Sequence, residues 1–268
     1  LYDFTPGKDN VSYEDMLEID RWALLKLHRL IAKVTESYQN YDFHVVYHSI
    51  HKFCVVDMSA FYLDIIKDRL YIFSANNKAR RSAQTAMYEI INALVRLLTP
   101  VLAFTSEEIW RYIPKAGDEP VSVQLTQWPR VKEICLDTEL EKKWAKIIDL
   151  REEVSKVLEI ARQEKIIGNS LNAKVTLYLK KNLYDFAKTL EKDLPTIFIV
   201  SAVELLPFEA APKNALQAVD QPELKLLVTE APGQKCVRCW NFSTTVGESK
   251  EHPTICARCV DVLSKIEV

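Results

Sequence analysis

In the first half of the stretch from Asn76 to Pro114 the residues Ala83, Ala86, Met87, Ile90, Ile91, Leu94, Leu97 and Leu98 recur at three- and four-residue steps. That period marks a long helix with one apolar stripe, and such a stripe must be buried against other helices. Arg81, Thr85, Glu89, Asn92 and Arg96 fall mostly outside it. Asn76 or Asn77 can cap the start, and Pro100 after Thr99 stops the helix. Thr105 and Glu108 have capping-box spacing for a second helix carrying Ile109 and Trp110. The entrance is unusual because Lys78, Arg80 and Arg81 crowd the first turn, where the helix dipole repels cations. An anionic partner would explain them.

The same helical period runs from Asp15 to Tyr38 through Leu24, Leu27, Ile31 and Val34. After a break at 40–42 it resumes to Val56, with Phe43, Val46, Tyr47, Ile50, Phe53 and Cys54 expected inward, and a further helix is expected over Asp57–Leu70. Residues 1–14 read as an irregular connector, and residues 15–135 as an antiparallel helical bundle closed by a short strand at Val121, Val123 and Leu125. His44 and His48 have metal-ligand spacing, but no third ligand accompanies them, so they read as solvated. Where two helices join, Lys67, Arg69, Lys78, Arg80 and Arg81 are interleaved with Tyr71 and Phe73 against Asp68. That segment reads as a solvated basic loop or as a surface for single-stranded RNA, with cations on phosphates and rings on bases.

Composition narrows the class. At 268 residues and 48% hydrophobic content the chain exceeds one typical domain and can bury a sizeable core. No apolar run approaches the ~20 residues that span a bilayer, so no membrane partner is expected. The net charge of −2 argues against nonspecific coating of DNA. Gly7, Gly117, Gly168, Gly233 and Gly247 are scattered, which excludes glycine-rich loops that cradle nucleotides. The chain begins at Leu1 rather than at a methionine, as expected of a piece of a longer polypeptide.

Residues 136–231 read as a small α/β module: a helix over Asp137–Glu164, a strand at Val175, Leu177 and Leu179, a helix marked by Leu183, Phe186 and Leu190, a strand over Ile197–Leu205 and another at Leu224, Leu226 and Val228. In the tail, residues 232–268, Cys236-x2-Cys239 and Cys256-x2-Cys259 supply four thiolates from two tight turns. That set suits one tetrahedral zinc and leaves no position open for catalysis. Two disulfides are the competing reading, and they would need an oxidising compartment. Cys54 and Cys135 read as ordinary buried thiols. Lys235, Arg238, Trp240 and Arg258 decorate the knuckles, either as plain ribbon surface or as contacts to RNA phosphates and bases.

The run Ala79-Arg80-Arg81-Ser82-Ala83-Gln84-Thr85, continued through Leu98–Thr105 to Glu107-Glu108-Ile109-Trp110, resembles the anticodon-binding helical domain of bacterial isoleucyl-tRNA synthetases. Asp20-Arg21-Trp22-Ala23-Leu24, Tyr62–Tyr71 and the cysteine tail fit the same family, and the likeness covers essentially the whole chain. It implies a mainly α, multidomain fold: an anticodon-binding bundle, a junction module and a four-cysteine zinc ribbon. It implies isoleucine tRNA as partner, one structural zinc, the cytoplasm and a monomer. Family catalysis joins isoleucine to its tRNA with ATP and magnesium in a nucleotide-binding domain. The His-x-Gly-His-type and Lys-Met-Ser-Lys-type signatures of that domain do not occur here, so no catalytic residue is expected and the chain alone should be inactive. The cysteine spacing also resembles the zinc finger of formamidopyrimidine-type DNA glycosylases, which makes a repair-enzyme fragment one rival and a noncatalytic protein-binding scaffold the other.

Overall fold

In the computed structural model, which describes residues 1–266, the first helix, α1, spans Glu18–Gln39 and buries Trp22, Leu24, Leu27, Ile31 and Val34. The chain then runs from Phe43 to Ile72 as one continuous rod: α2 (Phe43–Lys52), a π-helical stretch (Phe53–Tyr62) and α3 (Leu63–Ile72). Two helices separated near Val56 were expected, but no Gly or Pro interrupts this run. The backbone instead widens, and Leu63 N–H bonds to Met58 O, five residues back. Helix α4 (Lys78–Leu98) follows; Asn77 caps it, its side chain accepting from Ala79 N–H and Arg80 N–H.

Hydrogen bonds at both ends fix how α1 and α4 lie. Leu17 N–H bonds to Ser82 Oγ at one end (3.0 Å), and Tyr38 O–H bonds to the Leu97 carbonyl at the other (3.1 Å). The two helices are therefore parallel, with the rod returning alongside them. Helix α5 (Ala103–Tyr112) starts two residues before Thr105, so the expected capping box does not form. Glu107 instead accepts from Ser122 Oγ and Val123 N–H. Val123–Leu125 is a 3₁₀ turn and not the expected strand, because Val123 packs singly into a cluster with Val95, Trp110 and Ile113.

Polar burial in α4 departs most from the apolar stripe. Ser82, Gln84 and Thr85 are buried, and each serves the amino-terminal segment. Thr85 Oγ1 accepts from Val11 N–H (3.1 Å), and Gln84 Nε2 donates to Asp3 Oδ1 (2.7 Å). Residues 1–17, which include the irregular connector expected over 1–14, are thus a strap tied along α4. On α2, Val46 and Ile50 are buried as expected, but Phe43 and Tyr47 are exposed.

The chain divides into two compact units, Leu1–Lys143 and Trp144–Val268, and the division falls within α6 (Thr138–Gln163). In the second unit α6 buries Trp144, Ile147, Leu150, Val154, Leu158 and Ala161. A four-stranded sheet follows: β1 (Ala173–Leu179), β2 (Ala202–Pro207), β3 (Leu216–Gln217) and β4 (Leu224–Glu230), in the order β2-β1-β4-β3. β1 and β2 are parallel and are joined through α7 (Lys181–Lys188) and α8 (Leu194–Phe198); the other pairs are antiparallel. The strand expected over Ile197–Leu205 therefore begins only at Ala202. Pro195 lies in the first turn of α8, and Ile199 in a left-handed conformation (φ 57°) ends it. Among the described residues no helix is long and apolar enough to cross a membrane.

Candidate metal centre and nucleic-acid interface

The ribbon is built on a short hairpin, β5 (Gln234–Lys235) with β6 (Phe242–Ser243), and on α9 (Ala257–Ser264). Gly233 is required at its base, because a Cβ there would sit 2.2 Å from the Ser243 carbonyl carbon and φ is 90°. Ser201 anchors the hairpin, its hydroxyl accepting from Phe242 N–H (2.7 Å) and donating to the Leu171 carbonyl (2.5 Å).

The hairpin turn presents Cys236 and Cys239, and the first turn of α9 presents Cys256 and Cys259. All four are buried, and their sulfurs lie within 4.8 Å of one another. Cys236 Sγ is 3.7 Å from Cys259 Sγ, and Cys239 Sγ is 3.8 Å from Cys256 Sγ. Zinc–sulfur bonds of ~2.3 Å in a tetrahedron put sulfurs about 3.8 Å apart, whereas a disulfide needs ~2.05 Å. The spacing fits a four-thiolate zinc site, and all six cysteines are free. Burial raises the Cys236 thiol, but N–H groups of Cys239, Cys256 and Arg238 outweigh it and bring it down to about 6. Burial pushes Cys239 and Cys259 up, with Arg258 and Arg238 pulling against it. Four thiolates crowded this closely demand a cation among them, and four protein ligands make the site structural.

Arg238 and Arg258 are both half-buried, and each has its guanidinium against a sulfur, Arg238 at Cys259 and Arg258 at Cys239. Trp240, with φ 67°, is 61% exposed, and the exposed Lys235 places its ammonium 5.3 Å from the ring centroid.

The basic segment of the bundle separates in the same way. Arg69 is buried, paired with Asp20 and bonded to the Ala79 carbonyl, so it cannot reach RNA. Arg80 clamps both oxygens of Asp3 (2.5 and 3.0 Å) and the Leu70 carbonyl (3.1 Å). Arg81 bonds to the Asp3 carbonyl (2.7 Å) and Gln84 (2.9 Å), with Asp9 at 3.6 Å. The anion that explains cations at this helix entrance is the chain's own strap. Arg80 holds the Asp3 carboxyl at about 2, well below the usual range. Lys67 and Lys78 extend from the surface in exposed pairs with Asp64 and Asp15, and Tyr71 is 79% exposed. No third ligand joins His44 and His48 among the described residues, where the four cysteines are the one potential metal cluster. Burial raises both remaining thiols, Cys135 to about 11, as suits inert cysteines.

A family described as "Anticodon-binding domain of tRNA ligase" matches residues 20–177, and one described as "Zinc finger found in FPG and IleRS" matches residues 233–262. The chain belongs to the anticodon-binding family of tRNA ligases. It is 58% identical over 267 residues to the isoleucine–tRNA ligase of Moorella thermoacetica, covering 99% of this chain and 29% of that protein. It is 52% identical to that of Desulforamulus reducens (99% of this chain, 28% of the relative) and 54% identical to that of Caldanaerobacter subterraneus subsp. tengcongensis (97% and 28%). The chain thus spans less than a third of these relatives, and the matched portion is their C-terminal part. Membership of this family, through the bundle, removes the glycosylase rival, which rested on the cysteine spacing alone.

Proposed function

We propose that this chain is the tRNA-recognition part of an isoleucine–tRNA ligase, positioning isoleucine tRNA for ATP- and magnesium-dependent aminoacylation in a catalytic domain that lies outside it. The observation that carries this reading is the likeness to isoleucine–tRNA ligases through nearly the whole chain, bundle and four-cysteine ribbon alike. The bundle (15–135) holds the tRNA, the module (136–231) joins it to the ribbon, and the zinc folds the tail (232–268) that carries Trp240. Lys67, Tyr71 and Lys78 on the bundle, and Lys235 and Trp240 on the ribbon, are the exposed cations and rings suited to phosphates and unpaired bases. The protein acts as a monomer in the cytoplasm, and nothing in this mechanism requires a second copy.

Titration of the zinc-loaded chain with isoleucine tRNA, against a tRNA with a different anticodon, tests the reading. Preferential, salt-sensitive binding of isoleucine tRNA is expected. Equal affinity for both would count against anticodon recognition. Pyrophosphate exchange should show no isoleucine-dependent activity of the chain alone.

A further inference from the structure

Helix α2 turns a row of rings to solvent. Phe43 and Tyr47 are 54% and 62% exposed, and Tyr41, in a left-handed turn just before the helix, is 78% exposed. The rings are ordered against one another. Tyr41 meets Phe43 edge-on at 6.1 Å, while Tyr47 stacks on His51 at 5.7 Å and 29° and meets His48 at 5.1 Å. From beneath, Phe43 is held edge-on to Tyr38 (6.2 Å), whose hydroxyl is bonded to α4 and whose ring packs on Trp128. Contiguous exposed rings of this kind mark an interaction surface.

The surrounding charge selects the partner. From Phe43 to Val56 the chain has neither Asp nor Glu, although it carries 37 of them in all. His44, His48 and His51 offer ring faces and N–H donors on the same helix, and Lys52 is the one strong charge. Asp42, half-buried between Tyr41 and Phe43 in the sequence, is the one carboxylate within the row, and a surface of rings and donors so poor in carboxylates suits a polyanion whose unpaired bases present flat faces. The position is also distinct from the basic segment. Ser82 lies at the strap end of α4 and Leu97 at the ring end, and fifteen helical residues at 1.5 Å each separate them by about 22 Å.

We propose that this face of α2, centred on Tyr47, is a stacking site for unpaired bases of a tRNA loop; the assignment rests on the reading of the chain as a tRNA-binding part. Stacking depends on the ring and not on the phenol oxygen, and it requires a base.

The test uses the zinc-loaded chain and a fluorescent hairpin with the anticodon-arm sequence of isoleucine tRNA, beside the same hairpin with an abasic loop. Tyr47→Ala should weaken binding of the intact hairpin by roughly tenfold, within the range expected of one lost stack, with little change in salt dependence. Tyr47→Phe should bind as the unchanged chain does. The abasic hairpin should bind Tyr47→Ala and the unchanged chain alike. Because Tyr47 is exposed, the circular dichroism of both variants should match that of the parent. Equal binding of the intact hairpin by Tyr47→Ala and the unchanged chain would overturn the stacking site while leaving tRNA recognition standing. Failure of the unchanged chain to bind either the hairpin or whole isoleucine tRNA would overturn both. A dimer in sedimentation that Tyr47→Ala converts to a monomer would assign this face to self-association and overturn the proposal.

Discussion

Arg69 grips Asp20 with two N–H···O bonds of 2.9 and 3.0 Å in the interior of the bundle, across 49 residues of sequence. Tyr62 O–H (2.8 Å) and the Ser82 hydroxyl also donate to Asp20, so one carboxylate joins α1, the rod and α4. Burial works against the Arg69 cation, but the charge and hydrogen bonds of Asp20 outweigh it and raise its pKa. Burial, with the Asp20 charge, likewise keeps the Tyr62 phenol neutral. Removing one partner leaves the other charge buried and unpaired, which costs about 3–5 kcal/mol. Arg69→Met and Asp20→Asn should each lower the urea-unfolding stability of the bundle by about that amount. The double variant should cost less than the two single losses added together. Tyr62→Phe, losing one hydrogen bond, should cost about 1 kcal/mol. Full additivity in the double variant would show that the pair does not act as a unit.

The strap makes a separate prediction. Arg80 and Arg81 bind Asp3, and Arg81 approaches Asp9, so changing both to Gln should release residues 1–17 and speed hydrogen exchange at Val11 N–H, which bonds to α4. The helix itself should persist, because Gln is a good helix former. Any loss of tRNA affinity in this variant would be indirect, and the salt slope should stay unchanged. A slope reduced by roughly 0.7 per arginine would instead mean direct phosphate contact. Slow exchange at Val11 in the double variant would show that the strap does not depend on these arginines.

The bundle, the module and the cysteine site were legible in the sequence because each is written in local periods: apolar steps of three and four, alternation in β1 and β4, and paired C-x2-C turns. What was not legible depends on partners distant in sequence. Arg69, Arg80 and Arg81 look alike as a basic cluster, and only the fold shows that their partners are Asp20 and Asp3. Asp20-Arg21-Trp22, Arg69 and Ser82 were visible as family-like runs, but the carboxylate that joins them was not. Phe43 and Tyr47 fit an apolar stripe, yet the fold leaves both mostly exposed. Nor does any residue pattern announce the π-helical stretch, which continues a helix where two were expected.

Metal removal should act on the tail and leave the bundle alone. Cys256→Ser should abolish the single tightly held zinc and unfold residues 233–262, while the helical signal of Leu1–Lys143 persists. Because the ligands are thiolates, zinc should be released as pH falls. Metal analysis and proteolysis of the tail check this. A protease-resistant, zinc-free tail would show that the ribbon folds without its ion.

Acid should also weaken the bundle through His28. Its ring is buried, its Nδ1 accepts from Lys132 N–H (3.2 Å), and the Lys132–Glu89 ion pair lies close by. Burial, with the Lys132 charge adding to it and Glu89 opposing, lowers its pKa from 6.5 to about 4. The unfolded chain therefore binds a proton at a higher pH than the folded one does. The stability held in neutral His28 is complete above pH 6.5 and is lost progressively as pH falls toward about 4. His28→Gln cannot titrate, so its stability should be flatter across that window. The urea midpoints of parent and variant, measured at several pH values between these limits, should converge as pH falls. Parallel curves would assign the acid sensitivity of the bundle to its carboxylates.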